Sequence, residues 1–127
     1  MQRWLIDLFL LGVAVQFFLA GLGVFGTARH PSRRLADAST FDAHRAFGNV
    51  LVVVSLVIFA TAVAAKRQVR AAALLLVLMG LQAVWTQAGS GTPAVAAVHV
   101  LGAFAIAVVA FTMHRTARGN PTGTPGH

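Results

Sequence analysis

The chain has 127 residues, 57% of them hydrophobic and only 10% charged, with a mean hydropathy of +0.77, whereas an ordinary water-soluble domain carries roughly 25% charged residues. Its net charge of +7 comes from ten Lys and Arg against three acidic residues, and the cations sit between apolar runs and at the ends, a pattern that sets membrane topology and meets anionic headgroups and that excludes the basic stripe of a nucleic-acid binder. The absence of cysteine excludes a disulfide, a thiolate metal site and a covalently attached c-type haem, so any cofactor has to be held through nitrogen or oxygen.

The length fits one domain, and the apolar residues fall into four long runs instead of short amphipathic periods. The first, residues 4–25, is interrupted only by Asp7 near its start and Gln16 near its middle, and is long enough to cross a hydrocarbon core of ~30 Å. It exceeds the apolar stretch of a cleaved signal peptide, so it reads as a retained span. Residues 26–42, with Gly26, His30, Pro31, Ser32, Arg33, Arg34 and Asp37, read as a polar loop. Ser39, Thr40 and Asp42 offer side-chain oxygens to the free N–H groups of a helix start.

The second span covers residues 43–65 and ends at the cluster Lys66-Arg67-Gln68-Val69-Arg70. A third, residues 71–88, leads through the turn Gly89-Ser90-Gly91-Thr92-Pro93 directly into a fourth, residues 94–113. Residues 119–127, rich in Gly and Pro, have no apolar face to bury and are predicted to be a disordered tail. The expected fold is therefore all-α, an integral membrane antiparallel four-helix bundle over residues 1–118. Two successive hairpins, each ending in a span that opens with a histidine, make an internal repeat conceivable.

Six cations, Arg3, Lys66, Arg67, Arg70, Arg115 and Arg118, border one face, against four, Arg29, Arg33, Arg34 and Arg45, on the other. This bias places both termini and the loop between spans two and three in the cytoplasm, with the first loop and the Gly/Pro turn outside.

Ionisable residues within spans mark function by default, which singles out His44 and His99. Both spans that carry them enter from the same membrane side, so the two histidines lie at depths that differ by about one turn. Gly48 follows His44 by four residues, and Gly102 and Ala103 follow His99 by three and four; on a helix these share a face with the histidine. Two imidazoles at one level on facing helices, beside small residues that admit a flat ring, form a bis-histidine haem site. Arg45 at the outer rim would meet propionates or lipid headgroups. The competing reading is that small residues only permit close helix packing and that the histidines snorkel or bridge helices. Zinc wants at least three protein ligands, and Asp42 and His30 complete that set poorly. His30, His114 and His127 read as interfacial or tail residues. Of the amides, Gln82 and Gln87 reach the histidine level while Gln16 lies in mid-span, each read first as a helix-to-helix hydrogen bonder. Trp4 and Trp85 fit interfacial belt positions.

The segment Phe41-Asp42-Ala43-His44-Arg45-Ala46-Phe47-Gly48, with Gln82 and residues 91–103 around His99, resembles one half of haem A synthase over spans two to four. In each half of that enzyme a His-Arg pair opens the second helix of a four-helix bundle, and a histidine follows a Gly/Pro turn in the fourth. The resemblance implies His44 and His99 as axial ligands and Arg45 as a propionate neighbour. Phe41 stands where that family has a glutamate, three residues before the His-Arg pair. The whole chain is also similar to small four-helix bacterial membrane proteins of an uncharacterised family, through residues 16–25 and the His-Arg-x-x-Gly segment at 44–48.

The expectation is a small b-type haem protein of the bacterial cytoplasmic membrane, with one haem b per chain held by His44 and His99 and flanked by Arg45, Gly48 and Gly102. It would carry electrons or hold haem near the outer face, with the lipid bilayer and a membrane redox partner or a second copy as neighbours. No residue reads as a substrate-processing base. The alternatives are a cofactor-free accessory subunit and a half-size haem A synthase-like enzyme acting as a dimer.

Overall fold

The computed structural model describes residues 2–28, 41–88 and 93–119, which form four helices: α1 (Gln2–Ala28), α2 (Asp42–Ala64), α3 (Val69–Ala88) and α4 (Pro93–Gly119). α1, α2 and α4 are long and apolar enough to cross a membrane, while Val69–Trp85 in α3 is a shorter apolar stretch. The expected loop residues His30, Arg33, Arg34, Asp37, Ser39 and Thr40, the turn at 89–92 and the tail from 120 with His127 lie outside the described residues.

The helices run further than the apolar runs. α1 continues to Ala28. α4 continues six residues past Met113 to Gly119, where polar side chains find helical partners: Thr112 Oγ1 donates to Val108 O and Thr116 Oγ1 to Thr112 O. Arg118 in the last turn meets the negative end of the helix dipole. Gly119, assigned to the tail by composition, closes α4 instead. At the start of α2, among the described residues, no side chain caps the helix. Phe41 precedes the helix without a side-chain capping bond, and the Asp42 carboxylate accepts from Arg45 Nη2 at 2.7 Å.

α1 packs on α2 and α4, and α3 packs on the same two helices. Each helix contributes a stripe spaced by three and four residues: Ile6, Phe9 and Val13; Leu51, Ile58 and Ala62 with Ser55; Ala72, Leu75 and Met79; Ile106, Ala110 and Met113. Ser55 is fully buried and is satisfied within its own helix by donating to Val52 O at 2.7 Å. Outside the stripes the surface is also apolar, with Leu11, Phe18, Phe25, Val53, Leu101 and Phe104 all exposed. A surface of that kind has no favourable contact with water, whereas acyl chains match it.

The buried apolar side chains come from the first half of α1, the later part of α2, the first half of α3 and the second half of α4. The other end of the bundle, where α2 and α4 begin, contributes none of them. A tight turn closes the packed end. Arg67 N–H donates to Ala62 O at 3.0 Å and Lys66 N–H to Val63 O at 3.1 Å, the paired bonds of a Schellman motif. That motif places its left-handed residue where glycine is usual; here Lys66 occupies it with φ 51°, and Gln68 is left-handed as well with φ 55°.

Candidate functional site

Where the packed core ends, a cavity of about 400 Å³ opens, lined by Gln16, His44, Gly48, Gln82, His99 and Ala103 among others. That volume lies within the range of about 300–1,000 Å³ typical of small-molecule and cofactor sites. The His44 and His99 rings meet across it, tilted by 74° with centroids 6.0 Å apart. The matched depth inferred from chain order is thus realised, and both rings are half-buried.

Each histidine is held by a glutamine from the preceding helix. Gln16 Nε2 of α1 donates to His44 O at 2.8 Å, and Gln82 Nε2 of α3 donates to His99 O at 2.8 Å. A glycine makes room for each amide: a Cβ on Gly48 would stand 3.1 Å from Gln16 Nε2, and one on Gly102 3.0 Å from the Gln82 amide. The α1–α2 and α3–α4 pairs therefore carry the same three-residue device, a glutamine, a histidine and a small residue one turn on. In this arrangement the glycines admit the amides directly. Ala103, and not Gly102, lines the cavity on the α4 side.

Gln16 was not legible as a neighbour of His44, since counting from helix ends put it in mid-span. α1 overshoots the start of α2: Gly23 lies against the Phe41 ring, which lowers Gln16 to the histidine level. A helix end is a level marker only where the connection is short, and residues 29–40 form a long one. Asn49 is a further polar residue on the cavity wall that sequence reasoning did not name. Gln87, expected at this level, carries no described side chain.

The ring nitrogens of His44 both point toward Gln16. Nδ1 lies 3.3 Å from Gln16 O, and Nε2 lies 3.4 Å from Gln16 Nε2. A carbonyl can only accept, so Nδ1 carries the proton and Nε2 keeps its lone pair. A metal-bound histidine is oriented the same way, with its distal N–H on a backbone carbonyl. On the other side, His99 Nδ1 and Gln16 Oε1 are buried without a hydrogen-bond partner. Such atoms cost about 1–3 kcal/mol each while unsatisfied.

Arg45 lies on the cavity rim, its side chain 45% exposed and paired with Asp42. Among the described residues no group of three His, Asp or Glu side chains converges on one point. His114 is at the opposite end of the bundle. It is not a bare interfacial residue: its Nδ1 meets Asp7 Oδ1 of α1 at 2.5 Å and its ring stacks on Phe111.

Residues 16–89 match the sequence profile of a family described as a family of unknown function (DUF6220). The matched stretch includes Gln16, His44, Gly48 and Gln82, and ends before His99. No curated protein and no solved structure matches the chain.

Proposed function

Because the chain belongs to this family of unknown function (DUF6220), its activity has to be argued from its own residues, and we propose that it is a small membrane protein that binds one b-type haem between His44 and His99. The reading takes the four helices as an antiparallel bundle in the bacterial cytoplasmic membrane, with the site near the outer face. One observation carries it: two half-buried imidazoles from different helices face each other at 6.0 Å over a cavity of about 400 Å³. With metal–nitrogen bonds of about 2 Å, two imidazoles sharing one metal would have centroids roughly 6 Å apart, the spacing of His44 and His99, so these two residues would hold the haem iron.

Bound haem would supply one-electron redox chemistry. The chain's part is to position and to insulate. Gln16 O faces His44 Nδ1, which leaves Nε2 as the lone-pair nitrogen, in contact with the Gln16 amide, and the amides of Gln16 and Gln82 anchor the two histidine-bearing turns. Phe17 and Phe104, with rings 5.4 Å apart, cover the cavity between α1 and α4. Arg45 at the rim, which pairs with Asp42, would offer its guanidinium to carboxylate groups of a bound haem as well. Electron transfer or haem holding is the role that two facing histidines in an apolar cavity support.

A second reading draws on the glycines. Gly48 and Gly102 are occupied by glutamine amides, as in a bundle whose histidines only join helices, which supports a cofactor-free accessory subunit. Purification from haem-replete cells separates the two. The haem reading expects a coloured protein, or a Soret band that saturates at one haemin per chain. A colourless chain that stays colourless on haemin addition leaves the accessory reading.

A further inference from the structure

We propose that the turn between α2 and α3, with the end of α4, is a binding site for an anionic phosphodiester headgroup that carries free hydroxyls, the chemistry of a glycerol-headed phospholipid. This site lies at the opposite end of the bundle from the histidines and is independent of the haem reading.

A cavity of about 430 Å³ is lined there by Lys66, Gln68, Arg70, Thr112, Met113 and Thr116. Its wall holds two cations and no acidic residue, so its field attracts an anion. The helices that frame it are apolar over their exposed faces, which puts the cavity at the level where headgroups lie against helix ends.

Lys66 and Gln68 both have positive φ, a conformation that costs a non-glycine residue about 1–2 kcal/mol. Lys66 holds the Schellman position that glycine fills without strain. Both strained residues line the same cavity, and strain of this kind collects where side chains are needed for function. Gln68 adds selectivity. Its Nε2 donates to Met113 O at 3.3 Å, which fixes the amide orientation, and its Oε1 is buried with no partner. The fully ionised phosphodiester has no proton to donate to that acceptor; a headgroup hydroxyl has one. Lys66 and Arg70 would hold the phosphate while Gln68 Oε1 accepts the hydroxyl.

The test uses the full chain in detergent, with lipid retention read by native mass spectrometry. Phosphatidylglycerol is compared with phosphatidate and phosphatidylcholine, and glycerol phosphate and inorganic phosphate serve as soluble competitors. Phosphatidylglycerol should be retained best, and neither soluble phosphate should displace it at equal concentration. Lys66→Gly should weaken both anionic lipids by about fivefold, one surface cation's share, while thermal stability holds or rises because the strain is gone. Gln68→Leu should abolish only the preference for phosphatidylglycerol over phosphatidate. Arg118→Gln, which removes an equal charge outside the cavity, should change retention less than twofold. Equal losses for Arg118→Gln and Lys66→Gly would reduce the effect to diffuse surface charge and overturn the site. Displacement by glycerol phosphate would make the ligand a soluble phosphate and overturn the lipid assignment.

Discussion

The imidazoles of His44 and His99, from α2 and α4, stand 6.0 Å apart across the loosely packed end of the bundle. If the two share one iron, the centre is six-coordinate and low-spin. His44→Ala and His99→Ala should each convert it to a five-coordinate form or lose the pigment, whereas His30→Ala, His114→Ala and His127→Ala should leave the absorption and EPR spectra unchanged. Wild-type spectra from both cavity variants would remove the assignment.

The glutamines should matter to the site through the turns they hold. Gln16→Leu deletes the bond to His44 O and the amide contact to His44 Nε2 while the backbone carbonyl of residue 16 still faces Nδ1, whereas Gln82→Leu deletes the bond to His99 O. Each loss is expected to lower stability by about 0.5–1.5 kcal/mol. Gln16→Leu should lower haem affinity less than Gln82→Leu does, because it also frees His44 Nε2 from the Gln16 amide. Equal haem affinities in a titration of the two folded variants would show that the ring contacts of Gln16 are incidental.

Gly23 and Gly21 form a matched pair two residues apart on α1. A Cβ at position 23 would fall 2.5–2.8 Å from the rigid ring of Phe41, while one at 21 meets nothing within 4 Å. Gly23→Ala should therefore destabilise by about 1–3 kcal/mol and shift Phe41, which touches His44 edge-on at 6.2 Å. Gly21→Ala should be neutral, or stabilising by up to about 1 kcal/mol. Thermal unfolding in detergent reads both, and an equal effect of the two would contradict the Phe41 contact.

At the packed end, the contact of Asp7 with His114 joins the start of α1 to the end of α4. Asp7→Asn and His114→Gln should each destabilise, and the double variant should lose less than their sum. The coupling energy is expected at about 0.5–3 kcal/mol, the range for contacting partners. Additive losses would mean that the two side chains do not interact.

Topology is open to a direct assay. With six cations bordering one face and four the other, the positive-inside rule predicts both termini in the cytoplasm. A C-terminal reporter should be active only there. Periplasmic activity would invert the bundle and move the histidine cavity to the inner leaflet.

Much of the fold could be read without coordinates, because helix existence depends on long apolar runs and local capping. Four runs separated by Gly/Pro segments and cationic clusters became α1 to α4, and the shared entry side of the second and fourth runs already put His44 and His99 near one level. Helices extend beyond the apolar runs where polar side chains satisfy themselves inside the helix, as Thr112 and Thr116 do. Which residues meet across helices was not legible, since that depends on relative axial shift and rotation, and a twelve-residue connection constrains neither. Only the tertiary structure brought Gln16 down to His44, filled Gly48 and Gly102 with amides, and set Asp7 against His114. It also gathered Lys66, Gln68 and Arg70 around a cavity, through two left-handed residues that no periodicity announces. Composition determined the surroundings of this chain through the transfer energy of its side chains; the pairing of its few polar groups was decided by packing, where each had to find a partner or remain unsatisfied.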